Sequence, residues 1–252
     1  MSLQDKVCII TGGGSGIGRG AALLMAQNGA KVVLIGRTAA KIEAVVDEIE
    51  AEGDIAKAFA LDVADHAAVH QMAKDVLDDY GRIDVLVNSA GHSCHHRRLL
   101  TVTPEEIQSV IDSNLMGTIF CTQAVAPAML EAEEGMIINI SSLAGVTPSR
   151  FSGLAYGAAK AAVINFTTFL NAEFRNTGVR ASVVIPGEVA TPILDLRPIS
   201  PSAESREMMV DVDETSATIY LIASLPKRTN IPELVIRPTM HRDMSKEIAG
   251  MP

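Results

Sequence analysis

An α/β fold is predicted, a doubly wound parallel sheet of seven strands alternating with six helices, and three features of the 252-residue sequence predict it. Short β-branched runs alternate with longer stretches of helical periodicity along the chain. A glycine-rich turn stands at the first strand-to-helix junction, where such sheets bind a nucleotide. The composition is 48% hydrophobic but only 4% aromatic, the aliphatic make-up of a sheet covered by helices on both faces. No repeat, low-complexity tract or linker divides the chain, and its length suffices for one substantial core. Residues 1–252 are therefore expected to form a single domain.

Val7-Cys8-Ile9-Ile10 marks the first strand, near 6–10, and the helical pattern near 16–28 follows the glycine turn. Further strands are expected near 31–35, 55–60, 83–88, 136–140, 179–185 and 232–237, each a short apolar run. Between them lie helical patterns near 38–52, 65–79, 104–130, 156–177 and 211–225. Thr103-Pro104-Glu105-Glu106 is a helix start, with a hydroxyl at the cap, proline in the first turn and acids at the positive helix end. The least regular stretches, Gly91 to Val102 and Pro186 to Arg206, follow strands at their carboxyl ends, where ligands bind in open α/β sheets.

A net charge of -9 excludes a sequence-independent hold on nucleic acid, which needs a basic face. No apolar run reaches the ~18 residues that span a bilayer, and the N-terminus lacks the charged start and apolar core of a signal peptide. Cys8, Cys94 and Cys121 are odd in number and form no CxxC pair, which suits free thiols in a reducing compartment, with Cys8 in the core. A cytoplasmic protein without membrane or nucleic-acid partners is expected.

Thr11-Gly12-Gly13-Gly14-Ser15-Gly16-Ile17-Gly18 joins strand to helix. Its glycines admit positive φ and close approach of a ligand, and the free amides at the helix start attract a pyrophosphate. Gly12, Gly16 and Gly18 form the expected cradle. The spacing, Gly-x3-Gly-x-Gly, differs from the commoner Gly-x-Gly-x-x-Gly. Farther along, Tyr156 and Lys160 stand four residues apart on one helix face, so the lysine charge is expected beside the phenol, favouring its ionised form and making it a proton donor.

Together with Asn88-Ser89-Ala90-Gly91, Asn114, Ser141-Ser142 and Pro186-Gly187, these motifs resemble the short-chain dehydrogenase/reductase family, in its single-domain, Rossmann-type branch. The match runs from about Lys6 to Val189. Ser89 departs from the family's more usual second Asn, and the C-terminus lacks the Asp-Gly-Gly ending of many members. The stretch Asp211 to Thr239 is similar to NADP-dependent 3-hydroxy-acid and serine dehydrogenases. The resemblance implies an oxidoreductase that uses a nicotinamide dinucleotide and assembles as a homo-oligomer, tetramer or dimer, packing its Asn114 and Tyr156 helices across subunits.

For the cofactor, the resemblance implies contacts from Gly12, Ser15, Gly16, Ile17 and Gly18 at the pyrophosphate, Asp62 and Val63 at the adenine, and Asn88, Ala90 and Gly91 beside them. It also assigns Tyr156 and Lys160 to the nicotinamide ribose and Pro186, Gly187, Val189 and Thr191 to the nicotinamide end. Asp62 is equally placed to cap the helix near Asp65, and Asn88 to serve strand geometry. The end of the second strand reads Gly36-Arg37-Thr38 and offers no acid for a ribose 2′-hydroxyl. Arg37, with Thr38, suits a 2′-phosphate instead, so NADP is favoured over NAD; the alternative is a solvated loop cation.

For catalysis, the resemblance implies that Ser142 donates to the substrate oxygen and Tyr156 supplies the proton. Lys160 keeps the phenol acidic, and Asn114 anchors a water that links the lysine to solvent. Ser141 competes for the serine role; Ser142 is preferred because Gly145 follows it by three residues. The basic run His92-Ser93-Cys94-His95-His96-Arg97-Arg98 is either solvated loop or a lure for an anionic substrate, and Arg197 is a candidate carboxylate clamp. The histidines and Cys94 lack the spacing of a metal site, and no metal is expected. The expected reaction interconverts a secondary alcohol and a ketone on a small polar or acidic hydroxy compound. A 3-oxoacyl thioester reductase and a non-catalytic NADP-binding redox sensor are the alternatives.

Overall fold

The computed structural model describes residues 2–249; the ends of the expected domain, Met1 and residues 250–252, lie outside them. Among the described residues the strands β1 (Val7–Thr11), β2 (Lys31–Gly36), β3 (Ala56–Ala60), β4 (Val85–Asn88), β5 (Gly135–Ile140), β6 (Val179–Pro186) and β7 (Glu233–Ile236) join one sheet in the order β3-β2-β1-β4-β5-β6-β7. Every pairing is parallel. The chain winds outward from β1 in both directions, so the crevice at the carboxyl ends of β1 and β4 is the switch point at which such sheets take a ligand.

Alternation along each strand builds two cores. Cys8 and Ile10 of β1 face the helices α1 (Gly16–Ala26) and α2 (Ala39–Ala51), where Met25, Ile42 and Val45 pack with Ile219 and Ile222 of α8 (Val212–Ser224). Val7 and Ile9 face the other way, onto Val69 and Met72 of α3 (His66–Tyr80), Cys121 and Val125 of α5 (Gly117–Glu131) and Leu170 of α6 (Leu154–Glu173). The helix start read at Thr103 is a full capping box: Glu106 N donates to Thr103 Oγ1 and Thr103 N donates to Glu106 Oε2. From it α4 (Pro104–Ile111) runs through a π-helical turn, Asp112–Met116, directly into α5.

The strands and long helices fall where expected, with three differences. Helix α6 spans Leu154–Glu173 rather than 156–177, because Gly153 at φ 83° lets the chain turn into it early and Asn176 and Gly178, both at positive φ, end it. The stretch from Pro186 to Arg206 contains a 3₁₀ turn, Pro192–Leu196, and α7 (Ala203–Glu207) begins within it; Val189 bridges to Val210. A short α9, Ser245–Ala249, closes the described chain. No helix among the described residues is long and apolar enough to cross a membrane.

Candidate active site

The glycine turn closes against its neighbours at distances only glycine permits. Gly12 has φ 68°, and a Cβ on it would stand 3.0 Å from Ala90 N; on Gly18 it would stand 2.4 Å from the Gly12 carbonyl oxygen. Ser15 caps α1 with extended backbone, yet its hydroxyl makes no capping hydrogen bond, so the first-turn amides have no partner from it. Ile17 packs on the core beneath. Across from them, the Thr191 methyl lies 3.3 Å from where a Gly16 Cβ would be. A cleft of about 650 Å³ between the turn, Arg19, Pro192, Val212 and Ser216 opens here.

Thr11 was not singled out from the sequence, but it holds the switch point together. Its Oγ1 accepts from Ser89 N at 3.0 Å and Ala90 N at 2.9 Å, fastening the end of β4 to β1. Asn88 serves strand geometry, one of its two expected roles. Its side chain turns into the interior, donating to Asn139 Oδ1 at 2.9 Å and Thr122 Oγ1 at 3.3 Å, because period-two alternation aims it between the strands and α5. Gly91 runs beside Asn114, whose Oδ1 lies 2.8 Å from the position of a Gly91 Cβ. Asn114 is fully buried in the π-helical turn and meets the His92 backbone twice: Oδ1 accepts from His92 N at 2.9 Å and Nδ2 donates to His92 O at 3.0 Å. Its side chain thus clamps the π-helical turn to the loop.

A second cleft, of about 570 Å³, is bordered by Arg37, Asp62, Ala64, His92, Ser109 and Asp112. Arg37 is 64% exposed and lies 3.9 Å from Asp62 Oδ2, a loose surface pair of little energetic weight. Thr38 caps α2 without a side-chain hydrogen bond, leaving its hydroxyl free beside Arg37. Asp62 accepts from Ala64 N at 3.0 Å, and Asp65 rather than Asp62 caps α3, accepting from Ala68 N. The Val63 side chain is buried against Gly117, so only its main chain is left for a ligand.

The two serines after β5 separate cleanly. Ser141 Oγ donates to the Lys160 carbonyl at 2.7 Å and is buried; Ser142 Oγ accepts from Ala144 N at 3.2 Å and is near enough to the Tyr156 hydroxyl to lower its pKa. Gly145 makes this possible, since a Cβ on it would stand 2.6 Å from Ala161 N of α6. Burial pushes the Tyr156 phenol above its ordinary pKa, while Ser142, Arg197 and Arg97 pull it down. Lys160 lies alongside Tyr156 on one face of α6. Its ammonium donates to the Ile140 carbonyl at 2.8 Å and lies 5.6 Å from the Tyr156 ring centroid, because an i+4 neighbour in the first turn reaches back along the ring to the end of β5. Burial drives the Lys160 pKa down to about 8.

Pro186 ends β6, and Gly187 N donates to Ile236 O at 2.8 Å. Val189 is buried, and Val210 ties down the chain on both sides of it. Arg197 donates from Nη1 to Glu188 Oε1 at 2.8 Å and stacks 4.2 Å from the Phe151 ring centroid. Arg242 donates to both Glu188 oxygens at 2.7 Å and also to Glu247. Phe151, Glu188, Arg242 and Glu247 carried no sequence signal. The basic run also divides: Arg97 is buried, Arg98 exposed, and His96 Nδ1 pairs with Glu106 at 3.1 Å. Among the described residues no group of three or more His, Cys, Asp or Glu is arranged to hold a metal.

A family model described as short chain dehydrogenase matches residues 6–198. The chain belongs to the short-chain dehydrogenase family. It is an NAD(P)-dependent oxidoreductase of the α/β type. An uncharacterized oxidoreductase of Staphylococcus aureus is 35% identical over 236 residues, 94% of this chain and 98% of its own. Among solved structures, a metagenomic short-chain oxidoreductase in complex with NADP aligns with TM-score 0.83 at 35% identity over 96% of this chain and all of its own. A closed serine dehydrogenase complexed with NADP+ aligns with TM-score 0.85 at 29% identity over 94% of this chain and 100% of its own. The glycine cradle, the free Ser15 and Thr38 hydroxyls and Arg37 fit such a phosphate-bearing dinucleotide.

Proposed function

We propose that the protein interconverts a secondary alcohol and its ketone with NADP, acting on a small polar or acidic hydroxy compound, with Tyr156 as acid and base. The observation that carries this reading is the pairing of Tyr156 with Lys160, whose ammonium lies 5.6 Å from the ring and is held by the Ile140 carbonyl at the end of the strand that leads into Ser142. The bound nicotinamide supplies or accepts the hydride. In reduction, Ser142 donates to the substrate oxygen, and preorganised donation of this kind matters most as negative charge grows there. Tyr156 delivers its proton to the same oxygen, and in oxidation it removes one. Lys160, its ammonium fixed by Ile140, places positive charge beside the phenolate as it forms. Asn114 holds the His92 loop against this centre.

A phenol raised by burial stays protonated at neutral pH, which suits reduction. Alcohol oxidation, which needs the phenolate, is expected to accelerate as pH rises through the alkaline range while ketone reduction does not; initial rates in both directions across pH check this. NADP rather than NAD is supported by Arg37 and Thr38 at the end of β2 and by the NADP complexes of the two similar structures. Arg37→Met is expected to weaken NADPH about 10- to 100-fold, the worth of a charge-assisted hydrogen bond, and to leave NADH nearly unchanged. Placing an acid at Gly36 instead would drive its Cβ to 3.0 Å from Ile42 Cγ2, so Arg37 is the cleaner position.

A panel of hydroxy acids, sugars, steroids and 3-oxoacyl thioesters, followed by NADPH absorbance, tests the reading; no turnover with any alcohol or ketone would overturn it. The seven-stranded sheet supports a single domain over the whole chain. Three free, buried cysteines support a cytoplasmic setting. Phe169, 55% exposed on the Tyr156 helix, supports pairing of that helix across subunits of a homo-oligomer.

A further inference from the structure

We propose that Arg97 is the seat for a substrate carboxylate, which makes the preferred substrate a short hydroxy or oxo acid bearing one negative charge. Arg97 is only 5% exposed. Its Nη1 donates to the Phe151 carbonyl at 2.6 Å, its buried Nε has no partner, and no carboxylate pairs with it among the described residues. A guanidinium in such surroundings bears a large desolvation cost unless an anion meets it.

The charges around it show why the anion comes from outside. Arg197 and Arg242 share Glu188 and Glu247: Arg197 Nη1 lies 2.8 Å from Glu188 and 3.7 Å from Glu247, and Arg242 donates to both acids. Phe151 links the parts, offering its carbonyl to Arg97 and its ring to Arg197 at 4.2 Å. Three guanidiniums therefore face two carboxylates, leaving one positive charge, and it falls on Arg97. Arg197, the expected clamp, is already engaged. The Arg97 carbonyl accepts from Leu154 N at 3.2 Å, at the start of the helix that carries Tyr156, and the Arg97 charge lowers the Tyr156 pKa, so a carboxylate held there lies beside the proposed proton donor. Its planar fork suits two parallel hydrogen bonds to such a group.

This rests on the oxidoreductase reading, and the two can fail separately. With 3-hydroxybutanoate and 3-hydroxybutanamide as matched probes, wild type is expected to prefer the acid. Arg97→Met should raise KM for the acid about 10- to 100-fold and shift the amide little; Arg98→Met, at an exposed position, should preserve the preference. Without cofactor, the acid should raise the melting temperature of wild type but not of Arg97→Met. Should Arg97→Met fail to fold, Arg97→Lys keeps the charge without the fork, and the acid preference should fall while the melting temperature holds. Loss of Arg97 should also move the alkaline limb of the oxidation pH profile upward, because a charge that acidifies Tyr156 is gone. Equal handling of acid and amide by wild type, or an acid preference that survives Arg97→Met, would overturn the proposal. Acid-specific thermal stabilisation that depends on Arg97, in a protein that turns over no alcohol or ketone, would instead overturn the oxidoreductase reading alone.

Discussion

Tyr156→Phe is expected to lower kcat about 10²- to 10⁴-fold, the range for removal of a positioned general acid, and to leave dinucleotide affinity nearly intact. The substitution deletes one oxygen. The ring stays packed against Cys94, Val110, Ala155 and Ala159, and the glycine cradle and Arg37 are untouched. The prediction is sharper for where the hydroxyl sits: Ser142, Arg97 and Arg197 lower a pKa that burial raises. The other two phenols stand elsewhere, Tyr80 at the end of α3 beside Lys57 and Tyr220 on α8 against the core beneath α1. Steady-state rates and a fluorescence titration with NADPH on the purified variant decide the matter. Retention of more than about a tenth of wild-type kcat would show that the proton comes from elsewhere.

Features set by local spacing were legible in the sequence. The glycine turn, the Tyr156–Lys160 pair, the capping box at Thr103 and the aliphatic strand runs each lie within a few residues, and local sterics and hydrogen bonding fix them. What escaped depends on contacts between distant segments. Arg97 and Arg98 are adjacent and chemically identical, yet one is buried under Phe151, 54 residues away, and the other is exposed. Glu188 is paired by Arg242, also 54 residues distant. Asn88 looked equally suited to ligand and strand; its partner Asn139 became visible only when β4 and β5 were brought side by side. Helical spacing puts Lys160 and Tyr156 on one face, but it could not reveal that the Ile140 carbonyl of a neighbouring strand captures the ammonium.

That capture leads to an effect in two opposite directions. Lys160 is buried and its pKa falls from 10.5 to about 8, so near pH 7 the protein holds a charge its surroundings disfavour by on the order of 3 kcal/mol. The penalty is fully present below pH 8, where folded and unfolded chains both carry the proton. It shrinks between about 8 and 10.5, where the folded chain releases the proton and the unfolded chain keeps it. Lys160→Met removes the penalty but also the hydrogen bond to Ile140, which is worth about 1 kcal/mol. The cofactor-free variant should then be more stable than wild type at pH 7 by roughly 1 to 2 kcal/mol, a rise of several degrees in melting temperature. The gain should fade as pH approaches 10, because wild type is by then largely neutral at this position. Catalysis should move the other way, with kcat falling at least about 100-fold as the developing phenolate loses its nearby cation. Paired melting curves at pH 7 and 10 with activity measurements separate the two effects. A variant that is less stable at pH 7 would mean that Lys160 supports the fold, whereas stability gained with activity lost identifies a buried charge kept for its chemistry.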